Sequence, residues 1–388
     1  MKFVLLGSDP HTDSFVRAAQ DASHEMIAFM ADDGETPEVP SSARRLDGLA
    51  DVVRLTDVGY AVLAGDFDYR AEQALALVRL EPMPLVLSVP LAEKPDVYYE
   101  LGLYRVESKL PMLTLLPEAA HPGLAKLREW TGETSPQWME WTLPFDPEQK
   151  GSLRFHEGWS WIRSLGGEIE EISATGGDES GGGSQLLVSA RHQSGILTTI
   201  RWRALPSEGY GFRLETTAGT IEGTFERGCQ GPVTLIDRRG GQLRTETHEP
   251  FDVGPTWVAE WEALREKRDD EAWHRGLRQI ELASATNESL ERHRAVSLEY
   301  SDVSEQQSFR SIMTLTGCGM LMGLVLVVIV AAIMTSMGVF GNWQPPIFLG
   351  ILGVLALFCS LQLLGLLFRP AKPPKPSPRD EDSLSHPD

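Results

Sequence analysis

Short apolar runs alternate with amphipathic stretches along residues 2–116. Lys2–Gly7, Glu25–Met30, Val58–Ala64, Pro84–Val89 and Met112–Leu116 each read as a buried strand, because they are near-continuously apolar and too short for a helix. Thr12–Ala22, Tyr69–Leu80 and Asp96–Lys109 read as helices between them, with Asp13 and Ser14 as candidate caps of the first. Strands that alternate with helices imply right-handed crossovers and a parallel sheet, which predicts a Rossmann-like domain over residues 1–125.

Beyond Trp130 the pattern changes. Trp130, Trp138, Trp141, Trp159 and Trp161 cluster, and period-two runs follow at Glu168–Ala174, Gln185–His192, Gly195–Arg203, Gly211–Thr217, Thr220–Glu226 and Val233–Asp237. Their glycine-containing turns predict hairpins, hence a second α/β domain over residues 126–300 with an open, mainly antiparallel sheet. Gly176–Ser184 is glycine-rich, but it encloses two acids and no P-loop lysine follows it, so it reads as a hairpin loop rather than a phosphate cradle. Thr256–Arg292 reads as one or two long helices closing this part of the chain.

The hydropathy of the last quarter adds a membrane anchor. From Ser311 to Phe368 there is no Asp, Glu, Lys, Arg or His. Two apolar blocks, broken by Gly341–Pro346, each reach the roughly 20 residues a spanning helix needs. The expected anchor is a two-helix hairpin at 312–338 and 346–368, after a polar linker at 301–311 and before a Pro-rich, disordered tail at 369–388. Arg310 before the hairpin and Arg369, Lys372, Lys375 and Arg379 after it place the bulk of the chain and the tail on the cytoplasmic face of an inner or plasma membrane. With no charge inside the blocks, the hairpin reads as an anchor rather than an ion path. Gly319 and Gly323 form a GxxxG that allows close helix packing.

Charge and composition narrow the partners. A net charge of -20 and a pI near 4.9 argue against nucleic acid. Three dispersed cysteines form neither a disulfide framework nor a zinc pattern, and the nine histidines show no HExxH spacing, so no metal is expected.

The segments MKFVLLGSDP, FMADD, VLSVPLAEKPDVYYELGLYRVESKLPMLTLLPEAAHPGLAKLREW, WIRSLGGEIEEISA and IELASATNESLERHRAVSLE, in that order, resemble the Gfo/Idh/MocA family, the glucose-fructose oxidoreductase and inositol dehydrogenase group. The resemblance covers most of residues 1–300; the membrane hairpin is outside the family's usual plan. It implies NAD or NADP, a lysine from a Glu-Lys-Pro motif, an Asp-x-x-x-His pair in the second domain, and a homo-oligomer formed through the open sheet.

Carried over residue by residue, the motifs are degraded. Gly7 fits the first glycine of the family's G-x-G-x-x-G turn and Asp32 the ribose-binding acid, but Asp9 and Thr12 stand where the second and third glycines belong. A carboxylate at Asp9 adds bulk and like charge where a diphosphate would approach. Counting back from His121-Pro122 sets the motif's proline at Pro90, so that its Glu and Lys fall on Ser88 and Val89. Lys94 of Glu93-Lys94-Pro95 lies later; it either reaches back as a substitute or is a solvated lysine at a helix start. Arg163–Gly166 places His156 in the histidine position and Ser152 in the aspartate position. Trp159 and Trp161 nearby are core residues or the walls of an apolar pocket.

The leading expectation is a membrane-anchored, oxidoreductase-fold protein without a dinucleotide, a non-catalytic binding or scaffold module. The alternative is an active NAD(P)-dependent oxidoreductase on a sugar or polyol, with Lys94 and His156 in altered roles.

Overall fold

In the computed structural model the five apolar runs become β1 (Lys2–Leu6), β2 (Glu25–Met30), β4 (Tyr60–Leu63), β5 (Leu85–Ser88) and β6 (Met112–Leu115), with a short β3 (Arg44–Arg45). The structure describes residues 1–31, 39–65, 67–144, 155–176, 185–203, 209–226, 231–267 and 271–298. The strands pair in parallel in the order β3-β2-β1-β4-β5-β6. This is the order of a dinucleotide-binding sheet, reversing direction beside β1. Phe3, Val4, Leu6 and all of β4 are fully buried, as expected of strands covered on both faces. Helices α1 (Pro10–Asp21), α2 (Leu49–Val52), α3 (Phe67–Leu80) and α4 (Asp96–Ser108) form the crossovers, and α5 (Pro117–Ala120) and α6 (Pro122–Glu133) follow β6.

The second sheet has nine strands in the order β14-β13-β12-β11-β7-β10-β9-β8-β15. In chain order these are β7 (Pro136–Pro144), β8 (Ile169–Gly176), β9 (Gln185–His192), β10 (Leu197–Arg203), β11 (Tyr210–Thr216), β12 (Gly219–Phe225), β13 (Val233–Arg239), β14 (Arg244–His248) and β15 (Val296–Ser297). Every pairing is antiparallel except that of β7 with β10, so the sheet is mixed. Strand β7 lies at its centre although its residues were not among the expected runs. Its Met139, Trp141 and Leu143 face the core while Glu140 and Thr142 alternate outward. The inner face packs on α7 (Trp159–Gly166), whose Trp159, Trp161 and Ile162 are fully buried. Trp159 and Trp161 are therefore core, not pocket walls.

Two helices close the described part. Helix α8 (Gly254–Lys267) packs on α1 so tightly that a Cβ on Gly254 would meet Ser14 O at 2.3 Å. Helix α9 (Glu271–Arg292) spans both sheets. Its Ala272 carbonyl accepts from Thr114 Oγ1 on β6 at 2.5 Å, and its Ser289 Oγ accepts from Ala174 N on β8 at 2.9 Å. One continuous hydrophobic core joins the sheets, from Val4 and Leu63 to Trp141 and Leu235.

The apolar blocks at 312–338 and 346–368, the 301–311 linker, the 369–388 tail, most of the glycine-rich loop, Asp32 and Ser152 lie outside the described residues. Among the described residues no helix is long and apolar enough to cross a membrane.

Candidate functional site

The turn after β1 is built on Gly7. Its φ of +80° suits glycine, and a Cβ there would lie 2.5 Å from Ala64 O, so both dihedral and space require the missing side chain. Gly7 N donates to Met30 O at 2.9 Å, tying the turn to the end of β2.

Asp9, two residues on, caps α1. Its Oδ1 accepts from the backbone N–H of His11 at 3.0 Å and of Thr12 at 2.9 Å. Thr12 Oγ1 reciprocates, donating to Asp9 O at 2.9 Å and accepting from Asp9 N at 3.1 Å. This is a capping box, with Pro10 in the first turn where its absent N–H costs nothing. The helix therefore starts at Pro10, two residues before the expected Thr12, and its cap is Asp9 rather than Asp13 or Ser14. The other carboxylate oxygen, Asp9 Oδ2, lies 3.5 Å from Nη1 of the buried Arg70 on α3. The backbone donors that a helix N-terminus offers to an anion are thus engaged by the chain's own carboxylate. A dinucleotide diphosphate at this turn would have to compete with the Asp9 carboxylate for those donors.

Strand β5 ends at the buried Ser88 and continues into a cis Val89–Pro90 bond. Leu91 and Ala92 turn inward, and Leu91 N donates to Tyr98 OH at 3.0 Å. Burial pushes the Tyr98 hydroxyl up to about 12. Lys94 follows this buried stretch and is exposed, just before α4. Among the described residues, no hydrogen bond or ion pair joins it to Gly7, Asp9 or His156.

His156 precedes α7. Its Nε2 lies 3.8 Å from Oε1 of Glu157, and Glu157 Oε2 accepts a short hydrogen bond from Tyr210 OH on β11. The adjacent residue thus places a carboxylate beside His156, at ion-pair rather than hydrogen-bond distance. His11, in the first turn of α1, belongs to the same neighbourhood. Burial lowers its pKa, Asp9 and Glu157 oppose that shift, and His156 and Arg70 add to it. His11 is thus electrostatically coupled both to Asp9 of the Gly7 turn and to His156, whereas Lys94 shares no hydrogen bond or ion pair with them among the described residues.

Beneath this cluster lies Glu118 on α5. Its Oε2 accepts from Gly158 N at 2.8 Å, and its Oε1 lies 2.5 Å from Gln279 Nε2 on α9. Gln279 Oε1 in turn accepts from Ser160 Oγ on α7 at 3.0 Å. Gly158, at φ +85°, turns its N–H toward the acid. Burial first, then the charge of Glu157, push the Glu118 carboxyl up to about 8, against the pull of its hydrogen bonds from Gln279 and Gly158. Glu118 thus holds its proton more tightly than a solvated acid does, near a Glu157 carboxylate that accepts from Tyr210 and lies beside His156. Among the described residues no group of His, Cys, Asp and Glu could hold a metal ion.

Glu118, Glu157, Tyr210, Gln279 and His11 were not visible as site residues in the sequence. Their partners lie up to 161 residues away along the chain. Only Glu157, next to His156, carried a local signal.

No family model matches the chain, and no curated protein is similar to it in sequence. Solved structures share its fold. A putative myo-inositol dehydrogenase from Sinorhizobium meliloti 1021 is 15% identical with a TM-score of 0.58, over 77% of this chain and all of that one (100%). A putative NADPH-dependent oxidoreductase from Desulfitobacterium hafniense is 12% identical with a TM-score of 0.64, over 76% of this chain and 97% of that one. An oxidoreductase from Agrobacterium radiobacter, in complex with NAD+, L-tartaric acid and magnesium, is 13% identical with a TM-score of 0.62, over 76% and 98%. The inositol dehydrogenases among these neighbours are of the Gfo/Idh/MocA type, so the resemblance holds at the level of the fold.

Proposed function

We propose that this protein is a binding or scaffold module on an oxidoreductase fold, without hydride-transfer chemistry. The observation that carries the reading is the Asp9 carboxylate at the N-terminus of α1, engaged with the amides of His11 and Thr12. A fold can be retained while its site takes another use. Calorimetry of the full-length protein with NADH and with NADPH tests the reading. No binding of either is expected, and micromolar affinity for one of them overturns it.

A tether through 312–338 and 346–368, in an inner or plasma membrane with the bulk of the chain cytoplasmic, is part of the proposal. It is supported by the charge-free stretch from Ser311 to Phe368 and the basic residues flanking it. Resistance of the membrane-bound protein to alkaline extraction is the expected result. Self-association through the open face of the second sheet also belongs here. Its support is a shallow depression of about 330 Å³ on that face, lined by Thr142, Gly211, Thr224 and Thr234 among others.

The second reading is an NAD(P)-dependent oxidoreductase on a sugar or polyol, with Gly7 and Asp32 at the cofactor and Lys94 and His156 in altered roles. The observation in its favour is the Glu157 carboxylate beside His156. Loss of turnover in both Lys94→Ala and His156→Ala would support it.

A further inference from the structure

We propose that the outer face of the second sheet pairs with a second copy of this chain in one register, with Leu187 of each copy seated in the hollow over Gly211 of the other. The inference rests on the self-association read above and fixes its geometry. It does not depend on whether a dinucleotide binds.

The strand registers set the rows of this face. Leu187, Arg201, Thr142 and Gly211 stand side by side on β9, β10, β7 and β11, and Thr224 continues the row on β12. Leu187 is a branched apolar side chain left 43% exposed. Gly211 has nothing within 4 Å of an added Cβ, and it opens the depression that Thr142 and Thr224 bound. Knob and hollow lie three strand spacings apart, about 14 Å. A two-fold axis running along the strands, midway between Arg201 and Thr142, exchanges them. An isologous contact requires that kind of self-complementarity.

The same axis fixes the other rows without a further choice. Arg191, Leu197, Trp138 and Glu215 are neighbours across the same four strands. Exchange about the axis sets Arg191 against the partner's Glu215, an opposite-charge pair, and Leu197 against the partner's Trp138, an apolar one. In the row between, Glu140 meets Thr199 and Arg213 meets Ser189, so like charges do not face each other. Moving the axis one spacing toward β11 loses the match. Arg191 would then face Arg238, and Leu197 would face Thr220. Within each chain Arg201 pairs with Glu140 at 2.7 Å and Arg213 with Glu222 at 3.7 Å, so the charges near the axis are balanced. Balance matters in a chain of net charge -20, whose copies otherwise repel. Sheets stacked about 10 Å apart and turned by about 30° keep such a match near the axis.

Sedimentation equilibrium of the full-length protein in detergent micelles is the test. A dimer is expected for the native protein. Leu187→Asp and Arg191→Glu should each raise its dissociation constant by about tenfold or more. Arg191→Glu combined with Glu215→Arg should bring it back to within about threefold of the native value. Within one chain these two positions are three strand spacings apart, so the rescue cannot arise inside a copy. The three side chains are each about half exposed, so the variants keep the fold. A monomeric native protein overturns the self-association and the register together. A native dimer that Leu187→Asp or Arg191→Glu leaves intact, or that the charge exchange fails to restore, overturns the register alone.

Discussion

The Asp9 carboxylate and the Arg70 guanidinium stand 3.5 Å apart at the carboxyl end of the first sheet, with the other Asp9 oxygen on the N-terminus of α1. One side chain thus performs two tasks that substitution can separate. Asp9→Asn keeps a good cap and loses the charge; Asp9→Ala loses both. Urea unfolding should show Asp9→Ala less stable than the native protein by about 1–3 kcal/mol, and less stable than Asp9→Asn by about 1 kcal/mol. Equal stability of the two variants would mean that the cap contributes nothing.

Gly7→Ala meets two obstacles. The left-handed dihedral alone costs about 1–2 kcal/mol for a residue with a Cβ, and the new methyl would lie 2.5 Å from Ala64 O. The variant should melt several degrees lower or accumulate in the insoluble fraction. A Tm within one degree of the native value would show that the turn tolerates a side chain.

Stability should fall as pH rises through the neutral range. Glu118 holds its proton more tightly folded than unfolded, so its share of stability is fullest below the unfolded value near 4.5 and is lost as pH rises to about 8. Glu118→Gln should flatten that part of the curve. Asp237 runs the other way. Its hydrogen bonds from Arg239 hold the carboxyl below the usual range, so its contribution is present above the unfolded value near 3.8 and lost in stronger acid. Denaturation midpoints measured against pH in the two variants, Glu118→Gln and Asp237→Asn, distinguish the limbs.

Lys94→Ala should change stability by no more than about 0.5 kcal/mol, because the side chain is exposed and enters no ion pair among the described residues. His156→Ala should cost more, since its side chain is only 13% exposed and lies against Glu157. Thermal melts of the pair check the contrast. A Lys94→Ala variant as damaged as His156→Ala would return Lys94 to the cluster.

The parallel sheet was legible because its strands are buried on both faces and read as unbroken apolar runs, as in Tyr60–Leu63. The hairpins of the second sheet were legible from alternation and glycine turns; Gln185–His192 forms the strand its pattern predicts. Strand β7 was missed because its apolar positions are tryptophans and a methionine interleaved with Gln137 and Glu140, a pattern that fits several elements until its neighbours are known. The Asp9 cap was local, an acid before a proline with a threonine three positions on, and could have been read from DPHT. The Glu118 site could not. An acid flanked by prolines and alanines looks solvated until residues from α7 and α9 close over it.

Helices α8 and α9 come last in the described chain yet finish what its first residues begin. Trp257 and Trp261 pack with Phe15 and Tyr60, and Thr114 of β6 takes its acceptor from Ala272. During synthesis the first sheet must wait, one flank uncovered, until residues 254–292 leave the ribosome. The charge-free stretch from Ser311 emerges directly afterwards. Completion of the fold and delivery of that stretch are thus adjacent events in time, and a chain stopped before Gly254 would expose its oldest core.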